Sequence, residues 1–499
     1  MTVTEERSYI EAARREKLEA LIERGIAPFA YRFERTHTAQ EALDAYHSDD
    51  EEVSLSTAGR IVSMRPHGKT TFIHLSDRSG KVQLYFKRDE IGEDTYELLK
   101  LLDLSDFIGV RGTLFKTRTG EITVKVKEFQ LLTKALRPLP LGKEDAEGEQ
   151  HGGLSDPEMR YRQRYADLAV HADVREVFMM RARVVRWIRK FFDDRGYIEV
   201  ETPVLQPIYG GAAASPFVTH HKALGARLYL RIADELYLKR CIVGGLDRVY
   251  EIGHDFRNEG IDRLHFPEFT MLEFYQAYAD YNDMMEILEE LVSGIVKEIC
   301  GSLRVDRFGT TFDFTPPWQR GGYVDLVREH SGVDLEEADD SDLRAQLREH
   351  VEDEEEVADW PRTKLIDEMF KHFVEPSLIQ PTIVQDHPIE ISPLAKPKRG
   401  NPRLTERFEM LVNGHELANA FSELNDPDDQ RRRFEAQAAA REAGDEEAHQ
   451  IDEDFVRALE YGMPPTGGLG LGIDRLVMLL ANKKSIRDVI LFPTLRPKA

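Results

Sequence analysis

Between Leu55 and Thr133 apolar and polar residues alternate through five short runs, "LSTAGRIVSMR", "TTFIHLSD", "GKVQLYFKR", "DFIGVRGTLFKT" and "GEITVKVKEFQLLT", separated by turn residues. A period of two puts one face of each strand on a core, and five such strands predict a small closed β-barrel. Upstream, from about Ile10 to Tyr46, Leu18, Leu21 and Ile22 recur at helical spacing with Gly25 as a stop, which predicts a helical extension. Downstream, "LRPLPLGKEDAEGEQHGGLSDPE" (Leu136 to Glu158) is rich in proline, glycine and acid and reads as a linker.

From Met159 onward the pattern mixes helices with antiparallel strands. "VREVFMMRARVVRWIRKFFDDRGYIEVETPVL" opens as an amphipathic helix that Gly196 can cap, followed by an extended segment closed by Pro203. "VYEIGHDFRNEGIDRLHFPEFTMLEFYQAYADY" reads as two antiparallel strands, in which Arg257 and Glu259 share a face, as do Glu273 and Tyr275, so that a cation and several carboxylates converge on one surface. In "ERFEMLVNGHELANAFSELNDP" the Asn413-Gly414 pair marks a two-residue turn, pairing Val412 with His415 and Glu409 with Ala418. Glu416 then lies diagonal to Glu409 on one face. Two hard oxygen donors so placed suit Mg²⁺ if phosphates supply further ligands; the plain alternative is a pair of solvated acids. Asn419, Phe421 and Glu423 have the opposite parity to Glu416, so aiming all of them inward requires a bulge or strong twist. "PPTGGLGLGIDRLVMLLANKKSIRDVILFP" reads as a glycine-rich turn running into an apolar helix with Arg475 in its first turn, a weak phosphate signal.

At 499 residues the chain predicts two or three domains. The expected plan is an N-terminal helical extension (1–50), a barrel (51–135), a linker (136–158) and a large α+β domain (159–499) with an acidic insertion at about 300–360. Cys241 and Cys300 share no metal-type spacing, which argues against a disulfide framework or zinc site and for a reducing compartment. The amino terminus is charged throughout and no apolar run approaches the roughly 18 residues that span a bilayer, so the expectation is a soluble, cytoplasmic protein with no membrane partner. The net charge of -24 argues at first against nucleic acid. Much of that acid is local, however, as in "DLEEADDSDLRAQLREHVEDEEEVADW" (Asp334 to Trp360), which reads as a solvated helical or loop insertion and leaves room for a basic patch elsewhere.

The segments around Gly196 to Pro203, Phe256 to Phe269 and Gly468 to Arg475 resemble, in order, motifs one, two and three of class II aminoacyl-tRNA synthetases. "RYRQRYADL", "THH", "LYLRIADELYLKR", "FRNEG", "AFSELNDP" and "GLGIDR" are similar to the lysyl-tRNA synthetase family in particular. The resemblance covers nearly the whole chain. It implies an N-terminal OB-fold that reads the anticodon of tRNA(Lys), and a class II antiparallel-sheet catalytic domain that activates L-lysine with ATP and transfers it to the tRNA.

Residue roles follow by the same resemblance. Arg257 would bridge the lysine carboxylate and the α-phosphate, and Arg475 would meet the γ-phosphate. Glu259 and His265 would contact the nucleotide and Phe269 would stack on adenine. Glu409 and Glu416 would hold Mg²⁺, more than one ion per active site. Glu273, Glu423 and Tyr275 would surround the side-chain ammonium, Glu235 and the Gly211 carbonyl would hold the α-amino group, and Asn419 and Phe421 would complete the pocket. In the barrel, Phe72 would stack on a base, Gln83 would hydrogen-bond it, and Arg65 would make a backbone or base contact; the bland reading is that Phe72 is barrel core. Motif one implies a homodimer, which would cover Ile198, Val200 and Val204. Two positions depart from the family pattern: Phe266 stands where an asparagine is expected and Ser215 where an arginine often precedes "PF".

Three other readings carry less of the chain. An aspartyl- or asparaginyl-tRNA synthetase would set an acidic or neutral substrate against Glu235, Glu273 and Glu423. A protein-lysylating paralogue would lack the barrel, and a plain single-strand-binding protein would leave Arg257, Arg475 and the Glu409/Glu416 pair without a purpose.

Overall fold

The computed structural model describes residues 9–48, 52–141, 143–144, 150–151, 153–212, 214–348, 350–351, 356–442 and 451–497. Part of the expected linker (142, 145–149 and 152) and part of the acidic stretch (349 and 352–355) lie outside the described residues. The chain divides into two compact units, residues 1–172 and 173–499.

In the first unit, strands β1 (Ser54–His67), β2 (Thr70–Ser76), β3 (Lys81–Lys87), β4 (Phe107–Lys116) and β5 (Ile122–Thr133) close into a barrel in the order β1-β2-β3-β5-β4. Its interior is the alternating apolar set, including Ile61, Ile73, Leu75, Leu84, Phe86, Ile108 and Val124. The amino-terminal segment is only partly helical. Helix α1 (Tyr9–Glu23) stops just before Gly25, as expected. Beyond that stop the expected helical extension to about Tyr46 is helical only in part: a mostly non-helical stretch, in which Phe29 bridges Thr133, precedes the short helix α2 (Ala39–Asp44). Thr38 and Glu41 form a reciprocal capping box that starts α2, a local signal that outweighs the apolar spacing.

Phe72 is not barrel core. It lies half-buried on the outer face, in register with Arg65 on β1 and Tyr85 on β3, and its ring centroid is 5.0 Å from that of Tyr85. Gln83 occupies the next row of the same face, opposite His74. Its Nε2 donates to Glu121 Oε2 at 2.5 Å and its Oε1 accepts from Thr123 Oγ1 at 2.8 Å.

The second unit is built on an eight-stranded sheet. Helix α3 (Ala172–Asp193) leads past Gly196 into β6 (Ile198–Glu199). There follow helix α4 (Glu235–Val243), the hairpin β7 (Arg248–Phe256) and β8 (Glu268–Ala277), and helix α5 (Tyr281–Cys300). Strands β9 (Gln319–Gly322), β10 (Thr382–Gln385), β11 (Arg407–Val412), β12 (His415–Ser422) and β13 (Thr466–Gly472) precede helix α10 (Ile473–Leu480), with helices α6 (Tyr323–Ser331), α7 (Asp340–Leu347) and α8 (Arg362–Phe373) inserted after β9, and α9 (Glu453–Glu460) ahead of β13. The order is β9-β10-β11-β12-β13-β8-β7-β6, antiparallel from β10 to β7 with a parallel strand at each edge.

One face of this sheet carries the main core. Tyr250, Leu272, Phe274, Phe408, Met410, Ala418, Ala420, Leu469 and Leu471 pack there against α3, α5 and α10. Strand alternation therefore turns Glu251, Glu273, Tyr275, Arg407, Glu409, Asn419, Phe421, Gly468 and Gly470 to the opposite face. The acidic insertion is not merely solvated. Asp339 caps α7, and Leu335, Leu343, Leu347 and Val357 are buried in a satellite core with α6 and α8.

Two local features set the register at the site. Asn413 and Gly414 both have left-handed φ values, 56° and 71°, as a two-residue hairpin turn between right-twisted strands requires. Beyond the turn, Val412 pairs with His415 and Leu411 with Glu416, but Met410 pairs with Ala418, so Leu417 is an extra residue. This is the bulge the parity demanded. Glu409 consequently pairs with Asn419 and not with Ala418, and Glu416, Asn419 and Phe421 all share the face of Glu409.

The glycine-rich run is likewise not a phosphate turn. It is β13, a strand in the interior of the sheet, with Leu469 and Leu471 in the core and Gly468 and Gly470 on the polar face. A Cβ at Gly468 would lie 2.0 Å from Glu423 Oε1 and 2.4 Å from the Tyr275 ring, so the absence of a side chain is a steric requirement.

Candidate active site

The polar face of the sheet gathers most of the residues singled out above. Arg257 and Glu259 are the exception to the strand reading: β7 ends at Phe256, and both lie in the connection that follows. Arg257 is still aimed at the site, because its amide donates to Pro267 O at 3.0 Å and its guanidinium carbon sits 5.0 Å over the Phe269 ring. Glu259 is exposed in the loop. Ser215 lies beside this loop, its carbonyl accepting from the Asn258 amide at 2.7 Å. Phe266 is buried in the main hydrophobic core, so the departure from asparagine fills the core and presents no ring to the polar face.

Arg475, His265 and Glu416 converge from three separate segments. Arg475 Nη1 donates to Glu416 O at 2.7 Å and Nη2 lies 3.2 Å from His265 Nε2, whose other ring nitrogen is 2.8 Å from Asp262 Oδ2. The residue before Arg475 anchors the helix. Asp474 accepts from the Thr270 amide at 2.6 Å and pairs with Arg181, which also donates to Thr270 Oγ1 at 2.7 Å. The first turn of α10 is thereby tied to the start of β8.

Glu409 is half-buried, and its carboxyl is pushed up to about 8 by the loss of water around it, with repulsion from Glu416 and Asp367 adding to this and Arg407 opposing it. Arg407, which the sequence pattern did not single out, donates to Glu409 Oε1 at 2.6 Å and to Asn419 Oδ1 at 3.1 Å, so it links the acid pair to the pocket. Glu375 is raised to about 7 by burial and by Asp367 and Glu416. Crowded acids of this kind are relieved by a divalent cation, and the Glu409/Glu416 pair fits one. No group of three or more His, Cys, Asp or Glu among the described residues is arranged to hold a metal, so an ion here would draw its other ligands from a bound phosphate chain or water.

Beside it lies a cluster of buried carboxylates. Tyr275 donates to Glu273 Oε2 at 3.1 Å, and burial raises both groups. Gly211 has a φ of 94° and its α-carbon faces the Glu235 side chain. Burial also raises Glu235 and Glu423. Lys239, which the sequence pattern also missed, lies between those two acids on α4, 2.5 Å from Glu235 Oε1 and in direct contact with Glu423. Its i,i+4 spacing from Glu235 is the one visible signal, and that spacing ordinarily marks a surface helix pair.

Below them Arg231 is fully buried against Glu251 at 2.6 Å, Asp234 at 2.9 Å and Asp255 at 3.3 Å. Glycine at 253 makes this possible, since a Cβ there would lie 1.9 Å from Arg231 Nη2.

Family comparisons agree with this architecture. A family model described as tRNA synthetases class II (D, K and N) matches residues 156–496, and one described as OB-fold nucleic acid binding domain matches residues 55–132. A lysine–tRNA ligase from Moorella thermoacetica is 54% identical over 491 residues, covering 98% of this chain and 98% of that protein. Those of Syntrophomonas wolfei and Carboxydothermus hydrogenoformans are each 52% identical, covering 99% and 97% of this chain and 98% and 97% of theirs. The chain belongs to the class II tRNA synthetases of the D, K and N group and, within that group, to the lysine–tRNA ligase family.

The raised Glu409 carboxyl has a consequence for stability. A carboxyl that keeps its proton up to about 8 in the fold but loses it near 4.3 when unfolded stabilises the protein below the lower value, and that contribution is lost as pH rises through the upper one. Metal-free protein should therefore lose melting temperature between pH 5 and 8.5, and Glu409→Gln, which cannot ionise, should lose less; thermal melts in chelator check this. Equal losses in the two proteins would remove Glu409 from the account.

Proposed function

We propose that the polar face of the sheet activates L-lysine with ATP, releasing pyrophosphate, and that the lysyl group then passes to the 3′ end of tRNA(Lys). The observation that carries the substrate is the convergence of Glu235, Glu273 and Glu423, all buried, with Tyr275, Asn419 and Phe421 on one face. A lysine ammonium leaving water needs matched negative charge, and a neutral isostere would leave those acids unpaired. An aspartate side chain would meet only repulsion.

The chemistry is attack by an ionised carboxylate on the α-phosphate, which needs positioning and charge neutralisation and no general base. Arg257, stacked over Phe269, holds the lysine carboxylate and α-phosphate together while Phe269 carries the adenine. Gly211 and Glu235 hold the α-amino group. Arg475 and His265 lie together at the far end, where the β- and γ-phosphates extend, and Glu259 reaches the nucleotide from its loop. Mg²⁺ held by Glu409 and Glu416 would supply positive charge for the phosphate chain.

The test is ATP–pyrophosphate exchange across amino acids. Lysine should drive exchange far ahead of aspartate, asparagine and arginine, with Glu416→Gln slower than wild type at limiting Mg²⁺. Exchange driven by aspartate and not by lysine overturns the reading.

The barrel reads the anticodon on its outer face, where Arg65, Phe72 and Gln83 lie side by side. Because Phe72 is outside the barrel core, Phe72→Ala should leave melting nearly unchanged, weaken tRNA charging by about 1–3 kcal/mol, the usual worth of a base–aromatic stack, and spare tRNA-free exchange. Normal charging by that variant would move the anticodon site elsewhere.

The catalytic unit pairs with a second copy through the segment around β6. Ile198 is 48% exposed and Val204 39%, whereas Val200 packs half-buried beside α4. Next to them is an open hollow of about 470 Å³ lined by Gly196, Ile198, Arg248 and Tyr278 among others. Exposed apolar surface of this kind marks an interface. Sedimentation at micromolar concentration should show a dimer, and a fully active monomer would refute it. Among the described residues no helix is long and apolar enough to cross a membrane.

A further inference from the structure

The lysine pocket contains a lysine of the protein's own. Lys239 is fully buried, and its ammonium contacts Glu235 on the same helix and Glu423 at the end of β12. It lies 5.2 Å over the Phe421 ring and 6.0 Å over that of Phe455. The other charged or titratable groups near these acids are Glu273 and Tyr275 on β8 and Arg407 on β11, with Arg231, Asp234 and Asp255 behind Glu273.

Charge counting gives Lys239 a role. The pocket offers three carboxylates, Glu235, Glu273 and Glu423, to a substrate that brings two ammonium groups, its carboxylate being taken by Arg257. Two cations cannot neutralise three buried anions, and an unpaired buried carboxylate is costly enough to hold a proton instead. Arg231 does not supply the missing charge, since it is committed to Glu251, Asp234 and Asp255.

We infer that Lys239 is a specificity-determining positioning residue, a fixed ammonium that neutralises one pocket acid so that the remaining charge equals that of the two ammonium groups of a lysine substrate. This rests on the assignment of the three acids to the lysine pocket. Burial opposes the charge on Lys239, yet Glu235 and Glu423 outweigh it and raise its pKa, so it stays charged throughout the working range. It also fixes both carboxylates before substrate arrives, which lowers the ordering cost of binding. Glu273 is left for the incoming side-chain ammonium, with the Tyr275 hydroxyl holding one of its oxygens.

The decisive variants are Lys239→Met and Lys239→Arg. Without the cation the pocket acids ionise less readily, so the acid limb of the pH profile of kcat/KM for lysine should move to higher pH in Lys239→Met, by about one unit. The KM for lysine should rise at least about tenfold while the KM for ATP stays within about twofold. Lys239→Arg, which keeps the charge, should leave the acid limb in place. A folded Lys239→Met with wild-type lysine KM and an unmoved acid limb overturns the inference. If that variant does not fold, Lys239→Arg still decides: a rise confined to the lysine KM supports the role, and equal rises in both KM values reduce Lys239 to packing. Glu423→Gln, run in parallel, separates the levels. An unchanged lysine KM there would overturn the pocket itself, whereas a raised one beside a normal Lys239→Met would sink only the counter-ion.

Discussion

Burying negative charge on one face of a sheet is the constraint to which the catalytic unit answers. Glu235, Glu251, Glu273, Glu409, Glu423, Asp234 and Asp255 are drawn together beneath or beside one surface, and most of them are raised by burial. These acids are met by a few set-in cations: Arg231 for the lower group, Lys239 for Glu235 and Glu423, Arg407 for Glu409. A catalytic surface of this kind cannot be assembled by its binding residues alone. The cations that hold it in place are as deeply set as the acids they balance.

Backbone geometry does the remaining work. The bulge at Leu417 lets one strand present Glu416, Asn419 and Phe421 to the same side, joining the Glu409/Glu416 pair to the neighbouring cluster of buried acids. Strand β13 contributes by having glycine at 468 and 470 on that side, so Glu423 and Tyr275 rest directly on main chain at Gly468. On the reverse face the same strands are ordinary apolar core, and that core, with Asp474 clamped by Arg181 and Thr270, keeps the first turn of α10 and its Arg475 in place.

Much of this was legible in the sequence because it is local. Alternation located the five barrel strands to within a few residues, Asn413-Gly414 announced its turn, and the conflict of parity beyond it required a bulge. What stayed hidden depends on neighbours distant in sequence. A run of glycines before a helix looks like a turn until Gly468 is seen to face Glu423 and Tyr275 across paired strands. Phe266 looks like a binding-site change until it is found in the core. Glu235 and Lys239 look like a surface helix pair, since nothing local reveals that Glu423, nearly two hundred positions away, closes over them. The amino-terminal extension was legible only as far as Gly25, because the spacing of Leu18, Leu21 and Ile22 carries no information on where Phe29 attaches to the barrel.

The extra residue at Leu417 also bears on how this hairpin can change over generations. A substitution alters one side chain and leaves the rest facing as before, so the strand tolerates gradual drift at each of its positions. The bulge is of another kind: it is a count, not an identity. If Leu417 were drawn into regular pairing opposite Met410, every residue from Ala418 onward would change face, sending Asn419 and Phe421 into the core and Ala420 to the polar side. Loss of Leu417 altogether would instead keep Met410 opposite Ala418 and leave those faces as they are. Inheritance can therefore shorten this hairpin by one residue at the bulge without rewriting the surface beyond it, while the same residue, held unpaired, is what keeps the longer strand in register.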